Sequence, residues 1–316
     1  MLFGKNVLAL DIGSKFIKAV YGSSLKSGAD VKEYAMLGTP RAAVYDGCIN
    51  DIKSITEVIS GFMKGKSIKA NSMITGIGGK DIVTRHIELP HMTEKQVKKA
   101  ARLEIQQYLP INTDEYAIDS KTIEKGETSN GKMLDVLVAA VPKKKVEGYM
   151  ALAKGLGLKL KFIDLFADSI SRIFAGSGEF AENKTIATAD MGYNSISVTL
   201  IQNGNLFLER QIDTGDFGTY TADCSAKYLA DQLIDNMMKV INFYISNSYN
   251  RKIDSIYLYG EGAGIKGMAD YIKRNTRSDV KLLGPELLHG IRGIDEGLKE
   301  KLYLYINCIS LLLRRN

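Results

Sequence analysis

Cysteine, histidine and long apolar runs are all scarce in this chain of 316 residues, and each scarcity closes off a class of function. Cys48, Cys224 and Cys308 lie far apart with no CxxC pair. Such an odd, sparse set points to a reducing compartment and away from a disulfide framework or a zinc site. His86, His91 and His289 form no HExxH, and no other metal-ligand spacing occurs. No serine has glycine two residues away on both sides, so the hydrolase nucleophile elbow is missing. The most apolar stretch, Leu302 to Leu313, is interrupted by Asn307 and Ser310 and falls well short of the ~20 residues a membrane span needs. Met1-Leu2-Phe3-Gly4-Lys5 leads straight into a strand-like run without a secretory leader pattern, so a soluble, cytoplasmic protein with no membrane insertion is expected. Neither sign of charge is in large excess. With 42 basic and 36 acidic residues the net charge is +6, which argues against nucleic acid and stays compatible with an acidic partner or lipid headgroups.

What is present is ordinary globular composition, 45% hydrophobic and 25% charged, which excludes disorder, collagen-like repeats and a coiled-coil rod. The length suits two or so domains, and no linker-like stretch is long enough to separate independent modules. Residues 6–21 read as a hairpin: apolar Val7-Leu8-Ala9-Leu10, turn chemistry in Asp11-Ile12-Gly13-Ser14, then apolar residues from Phe16 to Tyr21. Residues 185–201 repeat it, with Asp190 falling on Asp11, Gly192 on Gly13 and Ile196 on Ile17. A repeated strand–Asp-x-Gly–strand unit predicts two related halves facing one another.

Each half continues in mixed strand and helix. Asp51 to Met63 has Ile52, Ile55, Ile59 and Phe62 at helical spacing, and Ser72 to Ile77 reads as a strand. Residues 85–158 look self-contained. Thr93-Glu94-Lys95-Gln96 is a capping box opening a helix that buries Val97, Ala101, Ile105 and Tyr108 and stops at Pro110. Strands near Tyr116–Ile123 and Leu134–Val141 flank Asn130-Gly131, and a second helix runs from behind Pro142 to Gly157. In the second half a strand is expected at Leu206–Ile212, a long helix from Ala222 to Ser246, and a strand at Ser255–Tyr259. That last strand enters Gly260-Glu261-Gly262-Ala263-Gly264, ahead of a helix containing Ile265, Met268, Ala269 and Ile272. Glu296 to Leu313 is apolar nearly all round and is expected to be one buried helix.

A tight turn with Asp, Gly and a hydroxyl residue suits phosphate and metal. Glycine lets backbone amides approach an anion, Ser14 supplies a hydroxyl, and Lys15 and Lys18 supply charge. Asp11 and Asp190 would hold Mg²⁺ through water, because that ion keeps most of its hydration shell. Two such turns facing each other would clamp a triphosphate. The glycines after Tyr259 remove side chains where a flat ring or ribose would lie against backbone.

Hairpin, second hairpin, glycine turn and terminal buried helix, in that order, resemble the actin-like ATPase superfamily, to which actin, the sugar kinases and FtsA belong. Within it, the chain resembles the type IV pilus assembly family PilM. The segments that carry this are Leu8-Ala9-Leu10-Asp11-Ile12-Gly13-Ser14-Lys15, Glu88-Leu89-Pro90-His91-Met92-Thr93-Glu94, Glu104-Ile105-Gln106-Gln107-Tyr108-Leu109-Pro110 and Ala139-Ala140-Val141-Pro142-Lys143. The resemblance implies an α/β fold of two halves around a nucleotide cleft. A first half would span 1–84 and 159–183, an inserted subdomain 85–158, the second half 184–295, and a terminal helix 296–316. It implies ATP and Mg²⁺ in the cleft, with Asp11, Gly13, Ser14, Lys15 and Lys18 on one side. Asp190, Gly192, Asn194 and Ser195 would face them, with Gly260, Gly262 and Ala263 near the adenosine. It also implies that the N-terminal cytoplasmic tail of a PilN-like inner-membrane protein docks beside the inserted subdomain, with Lys95, Lys98, Lys99 and Arg102 as candidate contacts. A pilus motor ATPase and self-association are further possible partnerships. The chain would thus be an adaptor of a type IV pilus or related type II secretion complex, peripheral to the inner membrane, in which ATP closes the halves and changes the groove's affinity for the tail.

The sequence departs from the family pattern at two places. Glu261 stands where a second glycine is usual, and Thr214-Gly215-Asp216-Phe217-Gly218 replaces paired glycines before the helix. No residue presents itself as a water-activating base, so nucleotide binding is expected ahead of brisk turnover. The alternatives are an FtsA-like division filament protein and a small-molecule kinase on the same fold, for which Asp164 is the nearest candidate base. Gly61 to Ser67 has only three residues between its glycines and reads as a helix end, not a P-loop. Thr75 to Lys80 reads as a turn. Lys143-Lys144-Lys145 at a helix start opposes the dipole and hints at an acidic partner. Leu311 to Arg315 reads as a buried helix with a charged fray rather than a membrane contact.

Overall fold

A computed structural model describes residues 5–108, 112–128, 131–174, 184–214, 222–246, 252–276 and 278–314. β1 (Val7–Ile12) and β2 (Phe16–Leu25) pair antiparallel, with Asp11 opposite Lys18, and β3 (Gly28–Gly38) continues the meander. Two short strands, β4 (Val44–Tyr45) and β5 (Cys48–Ile49), lead into α1 (Ile52–Gly65), which Asp51 caps through the Ser54 N–H at 3.0 Å. The P-loop look-alike is therefore the end of this helix. β6 (Ser72–Ile77) returns parallel to β1. β1 is buried on both faces: Val7 and Ala9 point into one core, Leu8 and Leu10 into another containing Ile55 and Ile59 of α1. The two-residue side-chain period of the strand thus splits its apolar run between two layers of helices.

β7 (Val83–Pro90), α2 (Glu94–Tyr108), β8 (Tyr116–Thr128) and β9 (Gly131–Pro142) form a three-stranded sheet of order β7-β9-β8 with a helix on it. Val97, Ala101 and Ile105 of α2 pack on Leu134, Val136 and Val138 of β9. The capping box is closed by Gln96, whose Oε1 accepts from the Thr93 N–H at 2.9 Å. Leu109, Pro110 and Asn130, singled out above, lie outside the described residues, as do Gly215 to Gly218 and Arg315. α3 (Lys143–Gly155) ends two residues before the expected stop, and Gly157, at φ 67°, makes the left-handed exit. β10 (Lys159–Leu165) then pairs with β6, and two short helices follow, α4 (Phe166–Ser169) and α5 (Ser171–Phe174).

The second half repeats the plan. β11 (Thr185–Met191), β12 (Ser195–Gln202) and β13 (Asn205–Asp213) form a meander, α6 (Ala222–Ser246) crosses over, and β14 (Ser255–Tyr259) lies parallel to β11. α7 (Met268–Thr276) and β15 (Val280–Leu282) complete a sheet of order β13-β12-β11-β14-β15. The first sheet, with β16 (Ile291–Arg292) added at its edge, runs β10-β6-β1-β2-β3-β16, the same order read backwards.

The terminal helix departs from expectation. It is split into α8 (Glu296–Glu300), a 3-10 turn over Leu302–Leu304, and α9 (Ile306–Leu312). The break has a cause: the Tyr303 carbonyl accepts from the Gly260 N–H at 2.9 Å, so it is held by the glycine turn of the second half instead of a helix ladder. α9 is buried along its whole length between the sheets. Ile306, Ile309 and Leu312 share one core with Val7, Ala9 and Val20 of the first sheet and Ile186 and Ile201 of the second. Ile309→Ala is expected to lower the unfolding free energy by about 2–5 kcal/mol, read as a fall in thermal midpoint. Leu103→Ala, at a side chain 62% exposed, should stay within about 0.5 kcal/mol of the parent.

Candidate functional site

The β1–β2 and β11–β12 turns line one cavity of about 130 Å³ between the two halves. Each turn is tight for the same reason. A Cβ on Gly13 would stand 3.0 Å from the Phe16 carbonyl oxygen, and one on Gly192 3.1 Å from that of Ser195. The strand ends place Asp11 and Asp190 on the cleft floor, and Asn307, in the first turn of α9, ties them together. Its Nδ2 donates to Asp11 Oδ2 at 3.2 Å and to Asp190 Oδ2 at 2.9 Å. Lys18, only 6% exposed, lies 3.6 Å from Asp11 and 2.5 Å from Glu261. The first-half turn also touches the second directly, with Lys15 Nζ 3.9 Å from the centroid of the Tyr193 ring. At the rim, Lys80 pairs with Asp213, and Gln211 donates to Ser195 Oγ at 3.2 Å and Asp46 Oδ1 at 3.3 Å.

Three carboxylates around one ammonium set the electrostatics. Burial, and then the adjacent Asp11 charge, push the Asp190 carboxyl up to about 7 against the pull of Lys18 and the Asn307 amide. Burial opposes the Lys18 charge, yet Asp11 and Glu261 overcome it and hold the ammonium well above the usual lysine range. Glu209 on β13 also lines the cleft, and burial lifts its carboxyl to about 7, opposed by a hydrogen bond from Ser197.

Of the residues expected to face a nucleotide, Asp11, Gly13, Ser14, Lys15, Lys18, Asp190, Gly192, Asn194 and Ser195 all line this cavity. Gly260, Gly262 and Ala263 do not line it. Gly260, at φ 85°, is instead packed so that a Cβ would come 2.5 Å from Asp190 Oδ1, and Glu261 alone of that turn reaches the cavity. Sequence reasoning missed Asn307, Glu209 and Gln211. The signal for Asn307 was present, since a buried amide interrupting an apolar helix requires partners.

The donor chemistry suits Mg²⁺ and phosphate. Asp11 and Asp190 offer hard oxygens, and buried Asn194 Oδ1, Asn307 Oδ1 and Glu261 Oε2 have no hydrogen-bond partner. Among the described residues no group of three acidic, histidine or cysteine side chains is placed to hold an ion directly. The space, however, is below the ~300–1000 Å³ usual for a small-molecule site.

A second, larger groove of about 1370 Å³ runs beside the three-stranded sheet, bounded by α2, the outer edge of β8, β10 and the loop 287–291. Its walls are apolar (Val97, Ile118, Leu137, Ile163), and a charged network crosses its floor. Arg172 bonds Asp164 at 2.7 Å and Asp168 at 3.1 Å, Lys121 bonds Asp168 at 2.9 Å, and Arg314 lies 3.3 Å from Asp164. Arg172 Nη1 is buried without a partner. Asp164 therefore lies in this groove and not in the cleft, away from any phosphate the turns would hold. Of the four basic residues expected at the groove, Lys98 borders it, 3.5 Å from Asp119, whereas Arg102 is paired with Asp114 at 3.1 Å. Lys95 and Lys99 are exposed and do not line it. The hint of an acidic partner in Lys143-Lys144-Lys145 is also reduced, because Lys145 is 3% exposed and bound internally to Asp46 and Asp81.

Two sheets of one strand order, closing Asp-x-Gly turns on a shared cleft, define an actin-like ATPase fold. The chain matches over 98% of its length a Bacteroides thetaiotaomicron protein of actin-like ATPase fold and unknown function, at 11% identity, 96% of that chain and a TM-score of 0.52. It matches over 99% the cytoplasmic domain of EpsL, an inner-membrane component of the type II secretion system of Vibrio cholerae, at 9% identity, 97% of that chain and a TM-score of 0.51. Residues 9–228 match the model of the type IV pilus assembly protein PilM, and the chain belongs to that family. A chain of the PilM–PilN type IV pilus biogenesis complex is similar over 99% of both chains, at 18% identity and a TM-score of 0.83. No helix among the described residues is long and apolar enough to cross a membrane.

A carboxyl raised in the fold contributes stability that is complete below its ordinary value of 3.8 and is lost as pH rises through about 7. Asp190→Asn should remove that dependence. Relative to the parent, its thermal midpoint is expected to be higher at about pH 8 than at about pH 5.

Proposed function

We propose that this type IV pilus assembly protein is a nucleotide-responsive adaptor on the cytoplasmic face of the inner membrane. In this reading the cleft takes Mg-ATP, and the groove takes the cytoplasmic N-terminal tail of a PilN-like membrane protein. The observation that carries it is the pair of matched turns on one cavity, joined through Asn307. Asp11 and Asp190 would hold the ion through water, and Gly13, Ser14, Gly192 and Ser195 would present amides and hydroxyls to the phosphates. When bound, Mg²⁺ would neutralise phosphate charge. Lys15 would be released from Tyr193 to meet the triphosphate, and Lys18 would remain the counterion of Asp11 and Glu261.

The tail reading is supported by a groove with apolar walls and, in its floor, an Arg172 Nη1 without a hydrogen-bond partner. A relative of the same fold is found in a complex with PilN. The contacts proposed for the tail are Lys98 and the apolar walls; the more distant Lys95, Lys99 and Arg102 are left aside. Nucleotide binding is coupled to the tail if Mg-ATP favours one spacing of the halves, since a ligand shifts an equilibrium only by its differential affinity. Turnover, if any, is slow, with no nucleophile-orienting residue assigned. Placing Asp164 outside the cleft weighs against a small-molecule kinase.

Titration with a fluorescent ATP analogue tests the cleft. Asp11→Ala is expected to lose Mg²⁺-dependent affinity by about tenfold or more, ~1.4 kcal/mol, with its circular dichroism unchanged. Equal Mg²⁺-dependent binding by variant and parent would remove the assignment. For the groove, a labelled tail peptide should bind at micromolar concentration and with different affinity in the presence of Mg-ATP. Ile118→Glu should abolish its binding, and Lys95→Ala should leave it unchanged.

A further inference from the structure

The three-stranded sheet meets the second half at an imidazole. His86, on β7, places Nε2 2.7 Å from the Leu206 carbonyl oxygen at the start of β13. Its Nδ1 lies 2.9 and 3.1 Å from the two carboxylate oxygens of Asp135 on β9. Both partners can only accept, so both ring nitrogens must donate, and only the imidazolium carries two N–H groups. Around this contact Leu137, Ala167 and Leu206 form a small buried apolar cluster, and the Phe207 ring stacks obliquely at 5.8 Å from the imidazole.

We infer that protonated His86 is a latch that docks the three-stranded sheet onto β13, and that loss of its proton releases this contact. The position gives the latch leverage. β13 carries Leu206 and Phe207 under the ring near its start and Gln211 and Asp213 on the cleft rim at its end, whereas Leu137 also lines the groove. The inference goes beyond nucleotide and tail binding and does not require either.

The charged surroundings of the ring favour the latch. β9 faces it with Asp135, β13 with the Leu206 carbonyl and the Phe207 ring, and α4 with Ala167, whose neighbour Asp168 is held by Lys121 and Arg172. On β7 itself, Glu88 shares the ring's face, across from Asp135 in register, and Arg85 projects to the other. Burial disfavours the ring's charge, but the Asp135 hydrogen bond, the Leu206 carbonyl and the Asp135 charge outweigh it and hold His86 above the ordinary imidazole range. A group raised in this way supports docking fully below its ordinary value and loses that support as pH rises through the raised one.

The test uses the full chain without nucleotide or tail. Side-chain ¹⁵N NMR, with His86 assigned by loss of its signals in His86→Gln, should show both ring nitrogens protonated at about pH 6. Asp135→Asn should move the titration midpoint down. Amide exchange of residues 205–208 and of β7 should accelerate over the same pH window in the parent, and should be fast and pH-independent, after correction for intrinsic rates, in His86→Gln. Protection of β1 and β14 reports that each variant is folded. A singly protonated ring at that pH, or exchange at 205–208 indifferent to both pH and the substitution, would overturn the latch. Failure of the tail peptide to bind would leave it standing.

Discussion

One amide group holds two carboxylates together at the centre of this molecule. Asn307 donates to both Asp11 and Asp190, one at the end of each half's central strand. Two aspartates brought that close repel unless something lies between them, and the fold supplies three answers. The amide gives each a hydrogen bond, Lys18 gives Asp11 a counterion, and Asp190 relieves the remainder by holding its proton more tightly. The acidic cluster offers hard oxygen donors of the kind a hydrated divalent ion takes.

The rest of the architecture follows from where Asn307 sits. It lies in the first turn of α9, which is buried in a core shared with residues of both sheets. α9 lies where the two halves meet. The three-stranded sheet rests on both, through β9 and α3 on the first half and through His86 and Leu137 on β13. Cleft and groove are therefore separated by packed elements, not by a flexible linker, which is the condition under which a small change of spacing becomes a change of shape elsewhere.

The features legible in the sequence were local and periodic. The hairpins could be read because Asp-x-Gly turns sit between runs of strand character, and α1 because its apolar residues recur every three to four positions. The capping box at Thr93 marked the start of α2 for the same reason. What was hidden depended on partners distant in the chain. The break in the terminal helix arises from a hydrogen bond between Tyr303 and Gly260, which no local pattern encodes. The basic stripe on α2 was legible as a stripe but not as a surface turned mostly away from the groove. Lys145 looked like one of three solvent-facing lysines until two aspartates from other loops enclosed it. Glu209 and Gln211 alternate along β13 toward the cleft, a period visible once the strand is known but without meaning before its neighbours are.

The burial of α9 also bears on how the chain comes to be folded. Val7, Ala9 and Val20 share their core with side chains of residues 306–312, far later in the chain. During synthesis the first sheet must wait, with one face wet, until α9 has emerged. Closing a loop of that span is slow, and the uncovered β-structure is prone to wrong pairing in the meantime. Cells making this protein quickly would be expected to rely on chaperones that shield such surfaces until α9 arrives.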